Sequence, residues 1–393
     1  GPFTVVIGSN ASGKSNLIQV IKFLRDIAKY GLENAVSLQG GIEYLRNTQI
    51  GASEPFSLRI EYALEEQPQR VVPLPSGTPL LFSPREVAYS FSLAFPRGGE
   101  AYEVTSDTLA VTGDFALPGG GTAGEGRICI FREGGTVRYR IVPPAHHSLR
   151  AEDLAPLSLH VAGGDAGRLV ATIPPLLPGV PSLEWIFRGM KVYDFDPRLL
   201  KRAVPIMGKT DLEKDGSNLA IVIKKILDDP ARRALFSRLL SDLLPFVDDI
   251  SVEKFMDMSM FLKVREVYNR EKYIPASLVS DGTINICAIL IALYFEGRPV
   301  TIIEEPERNI HPSLIGRLVE MCRDASAGKQ VIVTTHNPEM LRHVGVEEIL
   351  LVARGADGFS RVGRPADREE VREFLAHEIG IDDLFVQNLL DLG

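Results

Sequence analysis

Residues 8–15 read Gly-Ser-Asn-Ala-Ser-Gly-Lys-Ser, the G-x-x-x-x-G-K-[ST] spacing of a phosphate-binding loop. Such a loop works only between a strand and a helix, so it constrains the fold around it. The context is present. The apolar run Phe3-Thr4-Val5-Val6-Ile7 precedes it, and a helical pattern runs from Asn16 through Leu24. Gly8 and Gly13 let the backbone curl where a Cβ would obstruct it. Ser9, Asn10, Ala11, Ser12 and Asn16 complete the cradle, whose N–H groups and helix N-terminus face an anion. Lys14 would reach the β- and γ-phosphates, and the Ser15 hydroxyl would ligate Mg²⁺. Read alone, the loop fits a kinase, a GTPase or a transporter equally well.

Composition narrows the partners. The 393 residues are 45% apolar and carry a net charge of −8, which gives no global reason to bind nucleic acid but leaves a local basic face open. The longest apolar stretch, Ile284 to Phe295, is too short to span a membrane and contains Asn285. Cys129, Cys287 and Cys322 are widely spaced and odd in number. They match no disulfide framework or zinc spacing, so a reducing cytoplasm is expected. The other histidines, from His146 to His377, show no ligand spacing. The chain opens only seven residues before the loop, so further strands are expected upstream of Gly1.

Periodicity then divides the chain. A helix is expected over 16–30, stopped by Gly31. Alternating patterns at 56–62, 87–93, 127–131 and 136–141, with turns such as Pro118-Gly119-Gly120-Gly121, predict an antiparallel region. Residues 143–189 read as irregular with short helices. Helical patterning returns from Ser217 to Leu244, then strands at 249–255 and 260–267 and a helix at 281–295. Strand 299–303, helix 312–325, strand 330–335, a short helix and strand 347–353 follow, an alternation that predicts a parallel sheet. Residues 366–390 read as two helices. The expected organisation is a single head. Its core comprises 1–50 and 299–360, an antiparallel β subdomain covers 51–142, a helical lobe covers 143–298, and C-terminal helices cover 361–393.

Three strands end in chemistry. Pro299-Val-Thr-Ile-Ile-Glu304-Glu305 is a β-branched run that suits a strand buried on both faces. Its first carboxylate, Glu304, is the candidate for Mg²⁺. Glu305 is the candidate that accepts a proton from the attacking water. Gln330 to His336 is a second buried strand, and His336 could sense the γ-phosphate. In open α/β sheets ligands bind beyond the carboxyl ends of the strands, so Gly8, Glu304 and His336 are expected at one site. Ser280-Asp281-Gly282-Thr283 precedes the helix at 284–295 and offers a second anion-binding surface, although on its own a plain helix cap explains it better.

The order of these motifs resembles the ABC-type ATPases, in particular their RecF/SMC-like and OLD-like branch. Gly8–Asn16 is similar to the Walker A of that branch. Ser280-Asp281-Gly282-Thr283 is similar to its signature, Ile302–Glu307 to its Walker B, and Thr334-Thr335-His336-Asn337 to its switch histidine. Arg308-Asn309-Ile310-His311-Pro312 stands in the D-loop position. The resemblance covers 1–31 and about 205–345. It implies an α/β P-loop NTPase fold, an ABC-ATPase head with a parallel core sheet, an antiparallel β subdomain and a helical lobe. It also implies ATP and Mg²⁺ as cofactors and a homodimer packed head to tail, with the Walker A of one subunit facing Ser280 and Gly282 of the other. Two departures stand out. Glu304 replaces the usual Asp, and Asp281 replaces the first signature glycine. Gln49 and Asp194 are weak candidates for the glutamine loop, and an adenine-stacking aromatic would lie before residue 1.

No heptad pattern fills the segment between Lys14 and Ser280, so long coiled-coil arms are not expected. Fewer than sixty residues follow His336, so a Toprim nuclease is expected on a separate chain if one takes part. Two readings remain. One is an ATPase switch in phage defence or DNA processing, working with a nuclease-like effector and in some settings DNA, with RecF-like repair as a variant. The other is a non-hydrolysing ATP-dependent clamp. The Glu304-Glu305 pair favours the first.

Overall fold

The computed structural model describes all residues except 48–49, 65–68, 73, 75–79, 97–100, 118–120, 145–156, 159–167, 174–182, 256–257, 356, 370, 372–379 and 388–393. The chain divides into two compact units, Gly1–Val20 with Gly189–Gly393, and Ile21–Arg188.

The first unit is built on a six-stranded sheet. Phe3–Ile7 lies inside it, buried along its whole length, which is why its side chains do not alternate. It pairs in parallel with Gln330–Thr335 on one side and Ile349–Arg354 on the other. Val300–Glu304 continues the sheet beyond Gln330–Thr335, and the short strand Lys191–Tyr193 joins it, both in parallel. Ser360–Gly363 closes the opposite edge, pairing antiparallel with Ile349–Arg354. The apolar run predicted at 281–295 is a helix, Asp281–Tyr294, with every residue from Gly282 to Leu293 buried. A helix apolar all round belongs in a core, and this one packs in the same cluster as Val5, Ile303, Val331 and Val333. Each large aliphatic side chain so buried stabilises the unit by roughly 1.5–3 kcal/mol.

The helical pattern at 217–244 is two helices, Leu219–Leu227 and Pro230–Leu243. Pro230 cannot continue a helix but suits its first turn, and the Asp229 carboxylate caps the second helix by accepting from Ala231 and Arg232 N–H. Val247–Phe255 and Ser259–Glu266 form an antiparallel pair in a smaller sheet. Of the two C-terminal helices expected over 366–390, Ile381–Val386 is present and Pro365–Asp367 forms a 3₁₀ turn. Residues 372–379 and 388–390 lie outside the described residues, as does Gln49.

The second unit is an antiparallel sheet. Phe56–Ala63, Leu80–Ala94, Glu103–Leu117, Gly121–Glu133 and Thr136–Val142 pair in sequence order. Along Leu80–Ala94 buried and half-buried residues alternate, as a sheet with one covered face requires. Phe82, Tyr89, Phe91, Phe115, Ile128 and Phe187 fill that face. Glu103–Leu117 is a strand that the alternation pattern did not predict, because Asp107 and Gly113 occupy buried positions in it. The result is an α/β fold with a parallel core sheet, a separate antiparallel β unit and a helical lobe.

Candidate functional site

Register brings the predicted strand ends to one edge of the parallel sheet. Ile7 lies opposite Thr335, and Glu304 lies opposite Thr334. The residues that follow, Gly8, Glu305 and His336, therefore leave the sheet at the same level. Parallel strands do this by construction, since all their carboxyl ends face one way.

The phosphate loop has the shape its motif requires. Ala11 has φ 63° and Gly13 φ 111°, a left-handed backbone that favours glycine. A Cβ at Gly8 would collide with the Val352 carbonyl and the Ser12 hydroxyl, and one at Gly13 would collide with the Ser360 hydroxyl. The helix Lys14–Tyr30 starts directly after the loop, with Leu17 N–H donating to the Gly13 carbonyl at 3.1 Å. By helix geometry the first N–H groups, ahead of that bond, have no acceptor within the helix. Lys14 Nζ donates to the Gly8 and Ser9 carbonyls at 2.6 and 3.0 Å, which holds the ammonium over the loop. Burial pushes the Lys14 pKa down, and the nearby Glu305 charge partly offsets this. Such a cradle, with one cation and several N–H groups, fits a polyphosphate. Ser9, Asn10, Ala11, Ser15 and Asn16 are exposed around it, and Ser12 is buried.

Both oxygens of the Glu305 carboxylate are held by side chains. Its φ of 45° turns the chain out of the sheet, and its N–H donates to the Thr334 carbonyl at 2.9 Å. Oε1 lies 2.7 Å from His336 Nδ1, and Oε2 accepts from Arg308 Nη2 at 2.9 Å. Burial pushes its pKa up, but the bonds from Arg308 and His336 outweigh this and hold it below the usual carboxylate range. Arg308 Nη1 reaches on to Asp194 Oδ1 at 3.3 Å. Asp194 follows the edge strand Lys191–Tyr193, so this predicted candidate arrives at the same edge. Glu305, Glu307, Arg308, Asn309, His336, Asn337 and Pro338 line a cleft of about 390 Å³. Glu307 is buried, accepts from the Thr335 hydroxyl, and has its pKa raised by burial.

Glu304 is half-buried and Ser15 exposed. Among the described residues no three His, Cys, Asp or Glu side chains gather as a metal cluster. One hydroxyl and one carboxylate suit Mg²⁺, which takes much of its shell from phosphate oxygens and water.

The signature candidates sit on a different element. Ser280 caps the helix Asp281–Tyr294, its Oγ accepting from Thr283 N–H at 3.2 Å. Gly282 is buried against the backbone at Asn309, so close that a Cβ would meet the Asn309 carbonyl oxygen. Asn285 Nδ2 donates to the Arg308 and Pro306 carbonyls at 3.0 and 3.3 Å. Gly282 thus has a packing reason to be glycine besides any phosphate contact. The polar partners of Ser280 and Asp281 are Thr283 and Lys201, not residues of the phosphate loop of the same chain, among the described residues.

Sequence reasoning missed two residues. Arg308 stands in the D-loop position of the sequence, which gives its side chain no role. Ser360 carried no motif, yet its Oγ donates to the Ser12 carbonyl at 2.8 Å and braces the phosphate loop from the edge strand.

The family described as "AAA domain, putative AbiEii toxin, Type IV TA system" matches residues 3–72 and 186–342, more than half of the chain. Among solved structures, an SMC head bound to the C-winged helix domain of ScpA is 14% identical, with a TM-score of 0.43, over 92% of this chain and 90% of that one. An SMC head with an extended coiled coil, bound to the C-terminal domain of ScpA and derived from Pyrococcus furiosus, is 13% identical, with a TM-score of 0.41, over 95% and 93%. The SMC head domain from Thermotoga maritima is 12% identical, with a TM-score of 0.34, over 92% and 89%. No curated protein matches the sequence. Among the described residues no helix is long and apolar enough to cross a membrane.

Proposed function

The chain belongs to this AAA-domain family of ATPases, and from that premise we propose that it is a Mg²⁺-dependent ATP-hydrolysing switch of the RecF/SMC-like and OLD-like kind. Two copies close head to tail on two ATP molecules and open after hydrolysis. One observation carries the reading: the sheet register that brings the phosphate loop, Glu305 and His336 to one edge.

Bound ATP supplies the phosphoanhydride bond, and Mg²⁺ offsets charge on its oxygens. The protein's own groups do the rest. Lys14 and the loop N–H groups hold the phosphates, and Ser15 and Glu304 would hold the metal. Each Glu305 oxygen has accepted one hydrogen bond and keeps a lone pair, so the carboxylate can still take a proton from water. His336 Nδ1 fixes the orientation of Oε1. Gly8, Ser9, Asn10, Ala11, Ser12, Gly13 and Asn16 shape the cradle, and Ser280, Asp281 and Gly282 would face the other copy's nucleotide.

The family's description names a toxin of a type IV toxin–antitoxin system. A toxin–antitoxin setting fits phage defence better than RecF-like repair, and the proposal extends to a cytoplasmic protein that works with a separate nuclease-like effector. A DNA partner would show as binding that weakens steeply with salt. One observation favours the second reading, a clamp with incidental hydrolysis. Arg308 and His336 hold the Glu305 carboxyl below its usual range, which weakens it as a base. Turnover separates the two readings.

The experiment that tests nucleotide binding is titration of Lys14→Ala with Mg-ATP. Affinity should fall by about 100-fold, as expected when a charge-assisted contact is removed. Unchanged affinity would defeat the assignment.

A further inference from the structure

Lys201 ends the short helix Pro197–Leu200, and its side chain reaches the loop ahead of the helix Asp281–Tyr294. Nζ donates to the Val279 carbonyl at 2.6 Å and pairs with the Asp281 carboxylate. The two contacts straddle Ser280, whose Oγ is engaged from the other side by Thr283 N–H and by Thr283 Oγ1 at 2.7 Å. Lys201 is nearly covered, its side chain 16% exposed, while Asp281 is 49% exposed. Leu278, two residues before Ser280, is 77% exposed, an apolar side chain suited to a face that closes against another surface.

Asp281 suits a helix N-terminus, where the backbone dipole favours negative charge. It is ill suited to a face that receives a polyphosphate, because like charges brought together at a closing interface repel. Lys201 resolves that conflict within the chain. We propose that Lys201 is a positioning residue of the composite nucleotide site: it fixes the Ser280 cap and offsets the Asp281 charge, so that this face can meet the triphosphate held by a second copy. The inference rests on the head-to-tail reading above.

The test uses the full chain with Glu305→Gln, which arrests turnover, and follows sedimentation with Mg-ATP. The arrested protein should shift from monomer to dimer; if it does not, the head-to-tail reading falls and this inference with it. Adding Lys201→Met should raise the dimer dissociation constant by about tenfold. Lys201→Arg should restore dimerisation, and so, in large part, should Lys201→Met with Asp281→Asn, because removing the uncompensated carboxylate removes the repulsion. Dimerisation of the Lys201→Met protein at the parent concentration would overturn the inference. So would a loss that Asp281→Asn does not relieve, since that marks a merely structural lysine. If Lys201→Met fails to fold, Asp281→Asn alone decides: dimerisation at least as tight as the parent supports the inference, and weaker dimerisation overturns it.

Discussion

Glu305 leaves the end of a parallel strand, whereas Asp107 sits inside an antiparallel one, Glu103–Leu117. Each meets an arginine and a second polar side chain. Glu305 meets Arg308 and His336; Asp107 accepts from Tyr89 OH at 3.0 Å and Val170 N–H at 2.9 Å and has Arg132 Nε at 3.6 Å. Their surroundings push them apart. The Glu305 side chain is 28% exposed, and its partners hold its pKa down. The Asp107 side chain is 0% exposed, and burial raises its pKa despite its partners. The difference follows from topology. Parallel strands gather their carboxyl ends at one edge, where a charged group can meet solvent and substrate. Antiparallel strands alternate their ends, so a polar group in the middle of one has only the fold to serve. Asp107 ties its strand to the 3₁₀ turn at Val170–Thr172.

That contrast can be broken from either side, most forcefully at Glu305. Glu305→Gln should lower turnover by about 10²–10⁴-fold, the range for loss of a general base, with ATP affinity retained; phosphate release and a binding titration report the two. At Asp107 the effect should fall on stability. Asp107→Ala leaves Arg132 and the Val170 N–H short of a partner and should cost about 1–3 kcal/mol, read from urea unfolding. A smaller effect is expected at the edge strand. Ser360→Ala removes the brace on the Ser12 carbonyl and should weaken ATP binding by about fivefold, equivalent to about 1 kcal/mol, with Ser360→Thr restoring it. The smallest is a pH slope. The folded state holds the Asp107 proton more tightly than the unfolded chain does. Its contribution is therefore full below the ordinary Asp value, about 3.9, and is lost as pH rises through the raised folded value. Asp107→Asn should flatten that part of the stability profile.

The same contrast explains what could be read from the sequence. Phe3–Ile7, Val300–Glu304 and Gln330–Thr335 are continuous apolar runs because they are buried in the middle of a sheet, and they announce themselves. Their ends carry the candidate site, so Lys14, Glu305 and His336 could be named as candidates before any coordinates. Lys191–Tyr193 is only three residues long, and its place in the sheet depends on pairing with a strand about a hundred residues away. Glu103–Leu117 was hidden because its buried acid contradicts the alternation that marks a half-buried strand. Arg308 acts through Glu305, across a turn, and Asp194, distant in sequence, and Ser360 acts through the distant Ser12; isolated contacts of this kind leave no periodicity. Gly282 was legible as part of a motif, but its packing against Asn309 was not.

The central claim is that Glu305 acts on water at a nucleotide held by the phosphate loop. The most direct measurement compares Glu305→Gln with Asp107→Asn, in parallel, for Mg-ATP affinity and phosphate release. Glu305→Gln should bind ATP like the parent and release almost no phosphate, while Asp107→Asn, where folded, should do both like the parent. Phosphate release at the parent rate by Glu305→Gln would contradict the account.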